Sequence, residues 1–293
     1  METVLDIPLT KVRFDFPFRL DPDKARVASC GSCFAENVTE LLAAAGIACE
    51  RNPNGILYNP HSLAQSLLHV MNDQPYTETD FFEYNGLWHG WEHHGSFSSQ
   101  TLSAVLEKAE EARIRFRDFL KTADLLILTP ATSVVFELIE TERIAANCHK
   151  LPGTRFKRRL LSSREASDSL CSIAETLKRF NPACRLVFTL SPVRHNPGEL
   201  ILNTRSKAIV LNAIHECIER FQNALYFPAY EIVMDELRDY RFFRDDMLHP
   251  GDFAVKQVAC TFASACFGPD FLARMDEAEK TARRSRHIEK RSL

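Results

Sequence analysis

"ASCGSCFAEN" occupies residues 28–37. The apolar run "ARVASC" at 25–30 leads into it. "FAENVTELLAAAGIA" at 34–48 leaves it, with helical spacing at Val38, Leu41, Leu42 and Ala45 and a stop at Gly46. A buried strand, a turn of small residues and a helix form the opening unit of an α/β sheet. Cys30 and Cys33 bracket the turn and leave three chemistries open. C-x-x-C spacing before a helix suits a redox pair. The same two thiols supply only half of a structural zinc site, and no second C-x-x-C follows. A tight turn at a helix N-terminus also exposes a nucleophile beside amides that stabilise an oxyanion.

Outward from this turn, "DLLILTP" at 124–130 and "RLVFTLSPV" at 185–193 are continuous apolar runs of the kind that form central strands. "GILYNP" at 55–60 is a further strand candidate, and "ALYFPAYEIVMDEL" at 224–237 holds the last one. Helical patterns run through 61–71, 99–123, 164–180, 205–221 and 253–267. Residues 77–98 are aromatic and turn-punctuated, and predict a β-hairpin insertion. Residues 133–162 predict a hairpin and a basic loop. Alternating strands and helices predict a largely parallel sheet covered on both faces, with ligands at the strand carboxyl ends. Residues 1–270 read as one domain, and 271–293 as a charged, solvated tail.

The net charge of −3 gives no nucleic-acid signature. No apolar run approaches the roughly 20 residues of a membrane helix. The acidic N-terminus lacks a signal-like apolar stretch, and nine scattered cysteines suit reduced thiols, so the expected compartment is cytoplasmic. No metal is expected.

"FRDDMLHPGDFA" at 243–254 sets Asp246 three residues before His249, in a turn enforced by Pro250 and Gly251. One loop can thus deliver a base and the acid that orients it. A nucleophile after the first strand and an Asp-x-x-His after the last make each other more informative.

These residues resemble the GSCFA family, on Gly31-Ser32-Cys33-Phe34-Ala35 itself and on "NPNGILYNPHSL" (52–63), "ANCHK" (146–150), "SPVRH" (191–195), "NTRSKA" (203–208), "YFPAYEIVMDELRDYRF" (226–242) and "DDMLHP" (245–250). The resemblance implies an SGNH, or GDSL-like, hydrolase fold: a three-layer α/β/α sandwich with a mostly parallel sheet. It implies a bacterial-type esterase or acyltransferase acting on an ester- or thioester-linked acyl group of a small molecule or glycan, such as an O-acetyl. No cofactor is implied, although a coenzyme A derivative is admitted as acyl donor. A binding module for an anionic glycan or nucleotide-like ligand is the non-catalytic alternative.

Carried over residue by residue, the resemblance places Cys33 at the nucleophile, or Ser32 if the register shifts by one. His249 is the base and Asp246 its orienter. His249 and the helix dipole are expected to favour a Cys33 thiolate. The oxyanion pair is expected at Ala131 and Thr132, where alanine replaces the implied glycine, with Asn147 as a substitute donor. His149, Lys150, Arg194 and His195 are candidate substrate-binding residues, and Arg205 and Lys207 belong to the same cationic set. Trp88, Trp91 and Phe97 either stack on a sugar or pack the hairpin onto the domain.

Overall fold

The computed structural model describes residues 10–195 and 198–289. Strand β1 (Arg26–Gly31) is followed by α1 (Cys33–Ala44), β2 (Ala48–Arg51) and α2 (Pro60–Met71). A hairpin of β3 (Phe81–Tyr84) and β4 (Leu87–Gly90) turns through Asn85 and Gly86, both at positive φ, as a tight two-residue turn requires. Then come α3 (Leu102–Leu120), β5 (Leu125–Thr129), β6 (Val134–Leu138), β7 (Ile144–Ala145), β8 (Phe156–Leu160) and α4 (Ser163–Phe180). The chain continues through β9 (Arg185–Phe188), α5 (Leu200–Arg220) and β10 (Ala224–Tyr226). Helix α6 (Ala229–Glu231) widens into a π-helix over Ile232–Leu237, and α7 (Asp252–Phe267) and α8 (Phe271–Glu289) close the fold.

Five strands form one parallel sheet in the order β10-β9-β5-β1-β2. Alternation along each strand sends successive side chains to opposite faces. Ala28, Cys30, Leu126, Leu128, Leu186 and Phe188 pack under α2, α3, α4 and α5. Val27, Leu125, Ile127 and Val187 pack under α1, α7 and the start of α8. This is the expected α/β/α sandwich. The strand order reverses between β1 and β5, and the cleft outside that point is where such sheets bind ligands.

Three expectations change. "GILYNP" is not a strand; β2 lies earlier, at Ala48–Arg51, where it pairs with β1. Residues 55–58 instead cross the sheet rim. The Leu57 N–H donates to Gly31 O (3.1 Å), and Tyr58 O accepts from the Ala131 and Thr132 amides. The 133–162 segment is not one hairpin but a three-stranded antiparallel sheet, β7-β6-β8. The tail is not simply solvated. Phe271 and Met275 are buried against α1 and α7, and Lys256 pairs with Asp276 (3.3 Å).

Candidate functional site

Gly31 ends β1 at φ +145°, and a Cβ there would stand 2.4 Å from Thr129 O and 2.8 Å from Thr129 C. Only glycine lets β1 approach β5 so closely in this conformation. Three bonds fix the turn. Gly31 N–H donates to Asn52 Oδ1 (3.0 Å), Ser32 N–H donates to Thr129 O (3.1 Å), and Gly31 O accepts from Leu57. Ser32 takes the N-cap position of α1 yet its hydroxyl makes no cap bond; it is wholly buried and unpartnered. The first-turn amides of α1 therefore stay uncapped by a side chain.

Cys33 opens α1 and is half-buried, whereas Cys30 is 2% exposed and points to the other face of the sheet. The two thiols thus lack the geometry of a redox pair. Burial pushes the Cys33 thiol up; the amides of Phe34 and Cys33 and the charge of Arg244 pull it down, while Glu36 raises it. The expected preformed thiolate is corrected here: desolvation outweighs the helix N-terminus, so the resting group is a thiol.

The loop before α7 is tied shut by the Phe243–Pro250 bridge and by Arg244 N–H donating to His249 O (2.8 Å). Within it, Asp246 Oδ1 accepts the amides of His249 (3.0 Å) and Leu248 (2.9 Å), and Oδ2 lies 2.7 Å from His249 Nδ1. These bonds hold the Asp246 carboxyl at about 2, the His249 and Leu248 amides contributing most. An ionised acceptor assigns the proton to Nδ1. Nε2 is left without a hydrogen bond among the described residues, as a general base requires. Leu248 O accepts from Arg194 N–H (3.1 Å), which fastens the loop to the chain leaving β9.

Ala131 and Thr132 do not offer an oxyanion hole. Their amides donate to Tyr58 O at 2.7 and 3.1 Å, and the Thr132 hydroxyl bonds Ser206 (2.8 Å). Asn147, His149 and Lys150 follow β7; His149 lies against the hairpin insertion, and Lys150 is exposed. Asn147 Oδ1 accepts from His149 N–H (2.9 Å), and His149 Nε2 bonds Gly90 O (2.9 Å) beside the rings of His89 and Phe82. His149 is thereby a packing residue, pushed down to about 4 chiefly by burial. The aromatic patch also packs the hairpin: Trp91 stacks on Phe82 at 3.7 Å, and Phe97 and Trp88 close a small core under α3.

Arg194 and His195 stay at the rim. Asp235 and Asp239 are engaged with other arginines, Asp235 with Arg238 (3.8 Å) and Asp239 with Arg241 (2.9 Å). The His195 ring lies 4.9 Å from Tyr58 and is held at about 3 by burial, then by Lys207 and His249. Lys207 is 3% exposed; its ammonium donates to Ser191 O and is lowered to about 7 by burial and Arg194, against the pull of Cys33. Tyr58 in turn feels Cys33. Cys33, Tyr58, His195, Lys207, Arg194 and the His249 loop therefore share one end of the sheet.

Sequence reading missed Asn52, Tyr58 and Arg244. Asn52 had a signal, an Asn-Pro-Asn-Gly turn one strand away from Gly31. Tyr58 acts through its carbonyl, which no side-chain pattern reveals.

Among solved structures, the chain is similar to an acetyl xylan esterase from the rumen bacterium Butyrivibrio proteoclasticus, at 11% identity and TM-score 0.39, over 82% of this chain and 63% of that one. It is similar to a carbohydrate esterase family 2 enzyme with a carbohydrate-binding domain from Corynascus thermopiles (Myceliophthora fergusii), at 11% identity and TM-score 0.40, over 85% and 68%. An acetyl esterase variant with acetate ion aligns at 9% identity and TM-score 0.37, over 86% and 99%. The chain spans less than two thirds of the length of the first of these. No curated protein sequence matches it. The GSCFA family model matches residues 26–262, a span that holds both the Gly31–Cys33 turn and the Asp246–His249 loop, and the chain belongs to the GSCFA family.

Proposed function

We propose that the protein is an esterase-like acyl hydrolase that uses Cys33 as nucleophile, His249 as general base and Asp246 as its orienter. The observation that carries this reading is the Asp246 carboxylate. It is fixed by two loop amides and bonded to His249 Nδ1 at 2.7 Å, in a loop pinned to the same rim as Cys33. The choice of Cys33 over Ser32 rests on access: the thiol is half-exposed and the hydroxyl is sealed.

The steps follow from these positions. His249 Nε2 takes the thiol proton as Sγ attacks the acyl carbonyl. The oxyanion is met by the uncapped first-turn amides of α1. As the carbonyl re-forms, the alkoxide or thiolate leaving group takes the proton from His249, and a thioester remains on Cys33. Water then gives a proton to His249 and attacks; the acid leaves and the thiol is restored. A second acceptor in place of water makes the same sequence an acyl transfer, with an O-acetyl ester or a coenzyme A thioester as donor.

p-Nitrophenyl acetate tests the assignment. His249→Ala is expected to lower turnover by about 10²–10⁴-fold, Asp246→Asn by less, and intact mass with peptide mapping is expected to place one acetyl group on Cys33. Wild-type rates in the histidine variant, or an acetyl group on another residue, refute it.

A further inference from the structure

Among the described residues, the cations at the rim, Arg194 and Lys207, have no carboxylate partner. Arg194 makes no ion pair among the described residues. Its guanidinium lies 5.9 Å from the Phe243 ring, and Nη2 is 3.9 Å from Met234 Sδ. Lys207 is buried and also has no carboxylate partner. It donates to the neutral Ser191 carbonyl and sits 5.9 Å from the Tyr230 ring. By comparison, three arginines elsewhere each have two carboxylate partners, whereas Arg26 and Arg185 stack on Phe119 and Phe18. Arg113 is bound by Glu110 and Asp73, Arg143 by Asp80 and Glu92, and Arg159 by Glu137 and Glu165. A buried cation is normally paired, because desolvation of an unpaired charge is expensive.

The position of the two cations is also specific. Arg194 is joined through its N–H to Leu248 O, inside the Asp246–His249 loop. Lys207 follows Ser206, whose hydroxyl bonds Thr132 Oγ1 (2.8 Å) and the Ser133 amide (2.7 Å) at the end of β5. Arg194 disfavours the charge on Lys207, and a Cys33 thiolate, once formed, would favour it. The cationic pair therefore lies beside the loop that carries the base, at the same end of the sheet as Cys33.

We propose that the substrate carries an oxyanion, a carboxylate or a phosphate, held by the Arg194 guanidinium with the buried Lys207 ammonium behind it. The proposal rests on the acyl-transfer reading of Cys33 for its place in the reaction, but not for the existence of the anion site. Arg194 offers the two-pronged geometry that such groups accept. The wall of Phe243 and Met234 limits solvent screening of the pair.

Two measurements separate the anion site from the chemistry. In the first, the full-length Cys33→Ala protein is titrated calorimetrically with succinate and with inorganic phosphate. Binding of either, weakened by salt and reduced about tenfold or more by a second change Arg194→Gln, supports the site, and the stronger of the two names the oxyanion. This holds even if no ester is turned over, which would sink the acyl reading alone. In the second, kcat/KM is compared for the p-nitrophenyl half-ester of succinate and for p-nitrophenyl acetate. Arg194→Gln is expected to lower the ratio between the two esters about 10–100-fold, and Arg194→Lys to lower it less, because charge is kept and the fork is lost. A ratio indifferent to both variants, together with no anion binding by the Cys33→Ala protein, overturns the proposal.

Discussion

Acidification should destabilise this protein well before its carboxylates titrate. His93 is wholly buried, and neither ring nitrogen has a hydrogen-bond partner among the described residues. It is enclosed by Tyr76 (4.6 Å), Phe97 (5.0 Å) and Phe81 (5.6 Å). Burial holds it at about 3, reinforced by the neighbouring His149 and His69 and by Arg143, and opposed by Asp80. His149 is held at about 4 by burial and His89, and His195 at about 3. Each folded value lies below the unfolded value near 6.5, so the unfolded chain binds protons that the folded one refuses. The stability these neutral rings contribute is complete above about pH 6.5 and is lost as pH falls toward 3–4. At pH 5 the loss is 1.36 kcal/mol for each of about 1.5 pH units, or about 2 kcal/mol per histidine. That figure hardly depends on the folded values, since all lie at least one unit lower. Three such rings give about 6 kcal/mol, a large share of a typical stability of about 5–15 kcal/mol.

The window between pH 6.5 and 5 isolates this effect, because Asp246 and Glu165, both held at about 2, lose their contribution only as pH falls through the ordinary carboxylate range. Urea unfolding at several pH values across the window, followed by the fluorescence of Trp88 and Trp91, measures it. His93→Phe keeps an aromatic ring among aromatic neighbours and removes one titrating group. It should cut the loss between pH 6.5 and 5 by about 2 kcal/mol. A variant that keeps the wild-type pH dependence would refute the argument, since His93 would then carry no proton penalty in the fold.

Two further substitutions probe the site's frame. Gly31→Ala should cost about 2–6 kcal/mol, from backbone strain and from a Cβ driven into the Thr129 backbone; denaturant midpoints check it, and a loss under 1 kcal/mol would mean that β1 and β5 separate freely. Lys207→Met should stabilise the protein by about 1–4 kcal/mol, by replacing a buried, unpaired ammonium with an apolar chain of similar length. Because burial places the folded Lys207 at about 7, wild-type stability should rise from pH 7 toward 10 as the unfolded lysine alone stays protonated; the variant should lose that rise, and an unchanged pH slope would contradict it.

The strands that form the middle of the sheet were legible because they are buried on both faces. Leu125–Thr129 and Arg185–Phe188 read as continuous apolar runs for that reason. Strand β2 was not, since at the sheet edge Ala48–Arg51 is exposed or half-buried and ends in Glu50 and Arg51. "GILYNP" imitates a strand because a rim crossover also buries alternate residues: Leu57 is 2% exposed. In the candidate site, Asp246 and His249 were legible because a local loop fixes both within four residues. The oxyanion donors were misplaced because an amide's availability depends on a distant carbonyl, here Tyr58 O, which leaves no mark on residues 129–133. Asn147 and His149 carried polar chemistry that the fold applies to packing the hairpin, where Asn147 Oδ1 accepts the His149 amide and His149 Nε2 bonds Gly90 O, while Lys150 is exposed.

In the proposed mechanism, burial and catalysis need not conflict at this turn. A thiolate formed in advance would demand the removal of the very desolvation that raises Cys33, and would leave an anion facing Glu36. A resting thiol avoids that cost, provided that a base removes the proton only when the carbonyl carbon is in place. The Asp246 carboxylate supplies that condition, since an ionised group bonded to Nδ1 stabilises the imidazolium that forms on Nε2 protonation. Lys207 and Arg194 extend the same logic to the substrate. In the proposed site their positive field would favour the transient thiolate, and an oxyanion held by Arg194 would set the acyl carbon beside Cys33 at the cost of part of that field.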